Sequence, residues 1–149
     1  MIPLELMRAA AVLGAQCAHS DTALSVGCVI ADQDGNIVAQ GFSRADGNPK
    51  SHAEKIALEK IPPDTDRSRL TLYCTIEPCG TRMSGNPPCA CLIADSGIGH
   101  VCYALNEPAH FVNQTGIGHL RGHGVRVTQI CDSDIEKIIR GANTHINWQ

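Results

Sequence analysis

Leu70-Thr-Leu-Tyr-Cys-Thr75, His100-Val-Cys-Tyr-Ala-Leu105 and Val125-Arg-Val-Thr-Gln-Ile130 are three β-prone runs, and what lies between them decides the fold. After the first run comes a loop rich in glycine and proline, then Pro88, which suits the first turn of a helix because its missing N–H has no partner to lose. A helix is predicted over Cys89–Ser96, stopped by Gly97, and a second short one over Gln114–Arg121. Strand, helix, strand, helix, strand is the order of right-handed parallel crossovers, so these strands are expected to run parallel in one sheet.

Towards the N-terminus, Val26–Ala31 and Ile37–Gly41 are short β-prone runs joined by Asp32-Gln-Asp-Gly35, a turn signal, and they predict an antiparallel hairpin. Leu6, Ala10, Leu13 and Cys17 mark an amphipathic helix over Leu4–His19. Ser51 is placed to cap a helix from His52 to Lys60, which Ile61-Pro-Pro ends, since proline cannot continue it. Asp132 or Ser133 is placed to cap a last helix reaching towards Ile146. The expected architecture is α/β in three layers, a five-stranded mixed sheet opened by the hairpin and covered by helices on both faces. No repeat, low-complexity tract or linker divides the chain, so residues 1–149 read as a single domain.

A chain of 149 residues buries roughly 70% of its unfolded surface, enough for a core. No apolar run approaches the ~20 residues of a membrane span, and Met1-Ile-Pro-Leu-Glu-Leu-Met-Arg8 lacks a basic start followed by an apolar signal core, so the expected location is cytoplasmic. A net charge of −3, with two Phe, two Tyr and one Trp, offers no basic aromatic groove, so a small molecule is the expected partner and a nucleic acid is not.

Eight cysteines without a secretion signal do not read as a disulfide framework. Cys28, Cys74 and Cys102 sit inside apolar stretches, where a cysteine is a small buried hydrophobe. Cys79, Cys89 and Cys91 lie in or just beyond the glycine- and proline-rich loop and are candidate metal ligands. His52-Ala-Glu54 supplies an imidazole and a carboxylate in the first turn of one helix. One imidazole and two thiolates match a catalytic zinc site, which takes three protein ligands and leaves a fourth position for water. Glu54 would then stand near the metal without ligating it. Cys91 as a fourth ligand would make the site structural, but Glu54 has a catalytic use there and no equally clear structural one.

His-x-Glu followed by Pro-Cys-x-x-Cys is the signature of the zinc deaminases. The first half is met by His52 and Glu54; in the second, Cys79 and Cys89 stand ten positions apart, not three. Val26-Gly-Cys-Val-Ile30, Gly41-Phe-Ser-Arg44, Ser51-His-Ala-Glu54, Leu72-Tyr-Cys-Thr-Ile-Glu-Pro-Cys79 and Asn86-Pro-Pro-Cys89 together resemble the cytidine deaminase superfamily. Within it they resemble the pyrimidine deaminases of riboflavin biosynthesis, which carry a longer loop between the two cysteines. Gly80-Thr-Arg-Met-Ser-Gly-Asn86 and Asn106-Glu-Pro-Ala-His-Phe-Val-Asn113 are similar to the fungal type, and the loop departs from the Ser-His-His-Gly-Lys/Arg-Thr stretch of the bacterial type. The resemblance runs from about Leu6 to Ile130.

That resemblance implies a cytidine-deaminase-like sheet with its last two strands parallel, zinc held by His52, Cys79 and Cys89, and Glu54 as proton carrier. It implies a homodimer or higher homo-oligomer. It also implies an aminated pyrimidine as substrate, specifically a diamino-pyrimidinone bearing a ribosylamino or ribitylamino phosphate. Another nucleobase, a nucleoside or a pyrimidine-derived natural-product intermediate is the alternative. Arg82 with Ser84 and Asn86 forms the candidate phosphate- or sugar-contacting group, since arginine suits bidentate phosphate binding. Ser43, Asn48 and Ala53 are further expected substrate neighbours, and His19, at a helix end, is a weaker candidate.

Overall fold

In the computed structural model, which describes residues 2–80, 88–108, 116–146 and 148, the elements follow the expected order. They are α1 (Ile2–Gly14), β1 (Gly27–Ala31), β2 (Ile37–Phe42), α2 (Ala53–Glu59), β3 (Thr71–Ile76), α3 (Cys89–Ser96), β4 (His100–Leu105), α4 (Gly116–Gly122), β5 (Arg126–Gln129) and α5 (Ser133–Gly141). The five strands form one sheet in the order β2-β1-β3-β4-β5. β1 is antiparallel to β2 and β3, while β3, β4 and β5 run parallel.

Side-chain alternation builds two cores. Cys28 and Ile30 of β1, Leu72 and Cys74 of β3, and Val101 and Tyr103 of β4 pack with residues of α2, α3 and α4. Val29, Ala31, Tyr73, Cys102 and Ala104 face the other way and pack with α1 and α5. The central strands are covered on both faces, which is why they read as almost continuous apolar runs rather than as alternating ones. β5 lies at the sheet's edge and is mostly exposed.

Local signals set most of the boundaries. Asp32 closes the hairpin: its Oδ1 accepts from the N–H groups of Asp34 and Asn36 at 2.9 Å each, and Gly35 takes the left-handed φ of 86° that the turn requires. Gly97 ends α3 at φ 90°. Asp132 caps α5 by accepting from Ile135 N at 3.0 Å.

Four expectations about helix ends are corrected, three of them by a competing hydrogen bond or a close contact. α1 stops at Gly14, not His19, because Gly14 lies against the backbone of Gly27 and the chain then turns so that Cys17 Sγ reaches Val26 O. α5 stops at Gly141, not near Ile146, because the fully buried Asn143 is drawn to β1's approach. Its Oδ1 accepts from Ser25 N at 2.6 Å and its Nδ2 donates to Ser25 O at 3.0 Å. Ser51 does not cap α2, since its hydroxyl donates to Asp46 Oδ2 at 2.7 Å and His52 holds the N-cap position. Pro88 is the N-cap of α3 rather than its first residue.

The packing of α1 on the sheet tolerates no side chain at Gly27, where a Cβ would stand 1.8 Å from Ala10 O and 2.6 Å from Gly14 N. Gly27→Ala is therefore expected to cost about 3 kcal/mol or to prevent folding, as overpacking against backbone does. Gly118→Ala, at an exposed position of α4 with nothing near its Cβ, is expected to stabilise by about 0.5–1 kcal/mol. Urea unfolding followed by circular dichroism checks both.

Candidate active site

The β2–α2 connection delivers the first two residues. A Cβ at Gly41 would stand 2.8 Å from Ala53 O and 3.0 Å from Ala57 N, so the start of α2 lies directly on β2. His52, half-buried at the N-cap, makes no capping bond with its side chain, which leaves the imidazole to face the cysteines. Glu54, in the first turn, is only 4% exposed.

The parallel strands deliver the rest. Cys79 follows β3 by three positions and Cys89 is the first residue of α3. Cys89 N donates to Cys79 Sγ at 3.2 Å and Ala90 N to Cys79 O at 3.1 Å, so the first N–H groups of the helix, which have no intrahelical acceptor, are aimed at the thiol-bearing residue. From the other side α4 abuts this segment, since a Cβ at Gly116 would stand 2.2 Å from Pro78 O and 3.3 Å from the Cys79 carbonyl carbon.

His52 Nδ1 lies 3.2 Å from Cys89 Sγ and 3.7 Å from Cys79 Sγ, and the three donor atoms all lie within 4.8 Å of one another. Tetrahedral zinc with bonds of about 2.0–2.3 Å requires N···S and S···S edges of roughly 3.5–3.8 Å. The donors fit such an ion in chemistry, the two N···S distances lie either side of the N···S edge, and two thiolates with a neutral imidazole balance its charge. Cys91, half-buried in α3, is not in the cluster.

The electrostatics separate Cys79 from the thiols of the core. Hydrogen bonding with the Cys89 side chain draws the Cys79 thiol down to about 4 against the effect of burial, with help from His52 and the Cys89 N–H. Cys28 and Cys74 go the opposite way, because complete burial pushes both well above the usual thiol range. Burial also raises the Glu54 carboxyl to about 7, against the attraction of His52. Glu107 is raised to about 8, first by burial and then by the charges of Cys79, Glu77 and Glu54.

The structure places the other candidates unevenly. Ala53 is buried between His52 and Glu54. Ser43 is buried with its hydroxyl engaged by Val26, whose N–H donates to Oγ at 2.9 Å. Asn48 is exposed and its Oδ1 accepts from Lys50 N at 2.9 Å. His19 is exposed beside Asp21, with Nε2 2.7 Å from Oδ1. Arg82, Ser84 and Asn86 lie outside the described residues. Two buried carboxyls were not singled out by the sequence reading, Glu77 and Glu107. Their signal is a charged residue just before a proline where an apolar strand ends, at the C-terminal edge of a parallel sheet, where open α/β folds bind ligands.

Residues 3–105 match the family model of the cytidine and deoxycytidylate deaminase zinc-binding region. The diaminohydroxyphosphoribosylamino-pyrimidine deaminase of Schizosaccharomyces pombe is 34% identical over 134 residues, covering 85% of this chain and 32% of that protein. A solved diaminohydroxyphosphoribosylaminopyrimidine deaminase/5-amino-6-(5-phosphoribosylamino)uracil reductase from Thermotoga maritima superposes with a TM-score of 0.77 at 30% identity, over 95% of this chain and 39% of that one. The Rib2 deaminase of Aspergillus oryzae, solved in complex with DARIPP, shares the fold with a TM-score of 0.74 at 19% identity, over 98% of this chain and 100% of that one. The chain spans about a third of the length of the curated relatives it matches.

His52→Ala, Cys79→Ser and Cys89→Ser are each expected to abolish stoichiometric zinc in the purified protein, whereas Cys91→Ser keeps it. Elemental analysis by mass spectrometry reads the difference.

Proposed function

The chain belongs to the cytidine and deoxycytidylate deaminase family, and from that membership we propose that it is a zinc-dependent hydrolytic deaminase of an aminated pyrimidine. The observation that carries the reading is the His52, Cys79 and Cys89 cluster with buried Glu54 two residues from its histidine. Bound there, zinc would supply a Lewis acid that polarises water towards a nucleophile at neutral pH.

Glu54 does the proton work. Its carboxylate takes a proton from the attacking water and delivers it to the ring nitrogen beside the aminated carbon. It then takes the remaining hydroxyl proton and passes it to the departing amine, so the C–N bond breaks, a carbonyl forms and ammonia leaves. A carboxyl held near neutrality by burial can accept and release protons at similar cost, which suits a group that acts in both directions. Burial of Glu54 and of both cysteines keeps bulk water from competing for those protons.

For the substrate we infer the diamino-pyrimidinone bearing a ribosylamino or ribitylamino phosphate of riboflavin biosynthesis. Relatives named for that step, at 34% identity, support it, as does the long loop between the cysteines. Arg82, with Ser84 and Asn86, is the proposed contact to the phosphate or sugar. A cytoplasmic homodimer or higher homo-oligomer completes the reading. No helix among the described residues is long and apolar enough to cross a membrane.

Glu54→Gln is expected to keep zinc and to lower ammonia release by about 10²–10⁴-fold; retained zinc with undiminished turnover contradicts the assignment. In a panel of aminated substrates, the phosphorylated pyrimidinone is expected to give the highest kcat/KM, and a free base or nucleoside in that place would select the other substrate class. Arg82→Ala is expected to raise KM for the phosphorylated substrate and to leave that for its dephosphorylated form unchanged.

A further inference from the structure

Glu77 has no part in the reaction described above, yet it stands between β3 and the metal-binding cysteine. It is 5% exposed. Its N–H donates to Leu105 O at 2.9 Å, which carries the pairing with β4 one residue beyond the end of β3. Its carboxylate Oε1 accepts from Glu107 N at 2.7 Å and from Asn106 Nδ2 at 3.3 Å. Asn106 Oδ1 in turn accepts from Gln129 Nε2 at 3.3 Å, and the same Nε2 donates to Ala104 O at 3.0 Å. A single polar chain therefore stitches the C-terminal ends of β3, β4 and β5 together, at the edge from which Cys79 emerges.

Pro78 makes the link from Glu77 to Cys79 stiff, because its ring fixes φ. Gly116 blocks the segment from behind, so movement of Cys79 is limited on the α4 side by contact and on the β4 side by the Glu77 hydrogen bonds. We propose that Glu77 is a positioning residue for Cys79, holding its Sγ at ligand distance from His52 and Cys89 through the two N–H donors that converge on Oε1. The proposal rests on the zinc-deaminase reading of the site. It predicts a dependence on the acceptor oxygen rather than on bulk, since both donors meet one oxygen.

The test compares Glu77→Ala and Glu77→Gln in the full chain. It reads zinc affinity by competition with a chromophoric chelator, thiolate-to-metal absorption of the cobalt(II)-loaded protein, and the urea midpoint without metal. Glu77→Ala is expected to bind zinc about tenfold or more weakly, the usual loss when the groups behind a ligand are removed. Its cobalt–thiolate absorption falls with it, while Glu77→Gln, which keeps an acceptor oxygen, stays close to the unsubstituted protein. Equal zinc affinity in all three, or a Gln variant as weak as the Ala variant, overturns the proposal. Should Glu77→Ala fail to fold, Asn106→Ala removes one donor and is expected to weaken zinc binding in the same direction; unchanged affinity overturns the proposal. An unsubstituted chain that takes up no zinc would overturn instead the reading of the site on which the proposal stands.

Discussion

Cys79 accepts the N–H of Cys89 on its sulfur and the N–H of Ala90 on its carbonyl, and this double contact between a strand end and a helix start is what the site depends on. It converts a separation of ten positions in sequence into neighbouring thiols. The first N–H groups of a helix have no intrahelical acceptor, so a thiolate placed there satisfies donors that would otherwise need water. Everything around the contact keeps it in place. α4 abuts the Pro78–Gly80 backbone, β4 holds Glu77, and α2 lies close enough on β2 to present His52 across the gap.

The same residue type serves two physical roles within a short distance. Cys28 and Cys74 pair across β1 and β3, are completely buried, and are pushed away from ionisation. Cys79 is also largely buried, but donors surround its sulfur, and they outweigh the desolvation. Burial alone therefore does not set the acidity of a cysteine; the hydrogen bonds made to its sulfur, here first of all from the Cys89 side chain, oppose it.

That distinction explains what could be read from the sequence. The fold was legible because it follows from order: two β-prone runs around a turn, then strand and helix in alternation, leave few arrangements of a mixed sheet. His52 and Glu54 were legible because their relation is local, two positions apart at a helix start. The choice of Cys89 over Cys91 was not local. It depends on where α3 begins and which sulfur meets Cys79, and the residues alone, without the family resemblance, leave both open. The helix ends were misread wherever a partner distant in sequence intervened, as Ser25 does for Asn143 and Val26 for Cys17. Ser51 was misread through Asp46, a nearer competitor for its hydroxyl. Glu77 carried no visible role, because its partners sit at the end of another strand.

The charge balance of the region makes the strongest physical case for a divalent ion. Glu54, Glu77, Glu107, Cys79 and Cys89 are all buried, whereas no lysine or arginine is buried among the described residues. Buried acidic groups without a compensating cation cost folding free energy, which they can reduce by keeping their protons. The upward displacement of Glu54 and Glu107 shows that cost, and the presence of the thiol drawn down at Cys79 adds to it for both carboxyls. A core that needed only packing would fill these positions with apolar residues of similar volume. Two thiols and an imidazole whose donor atoms lie within 4.8 Å of one another, with carboxyls close enough to feel the Cys79 charge, are an arrangement whose cost falls when a dipositive ion is held among them. The concentration of acidic groups and the ligand geometry are thus two aspects of the same site, and the raised Glu54 carboxyl belongs to both.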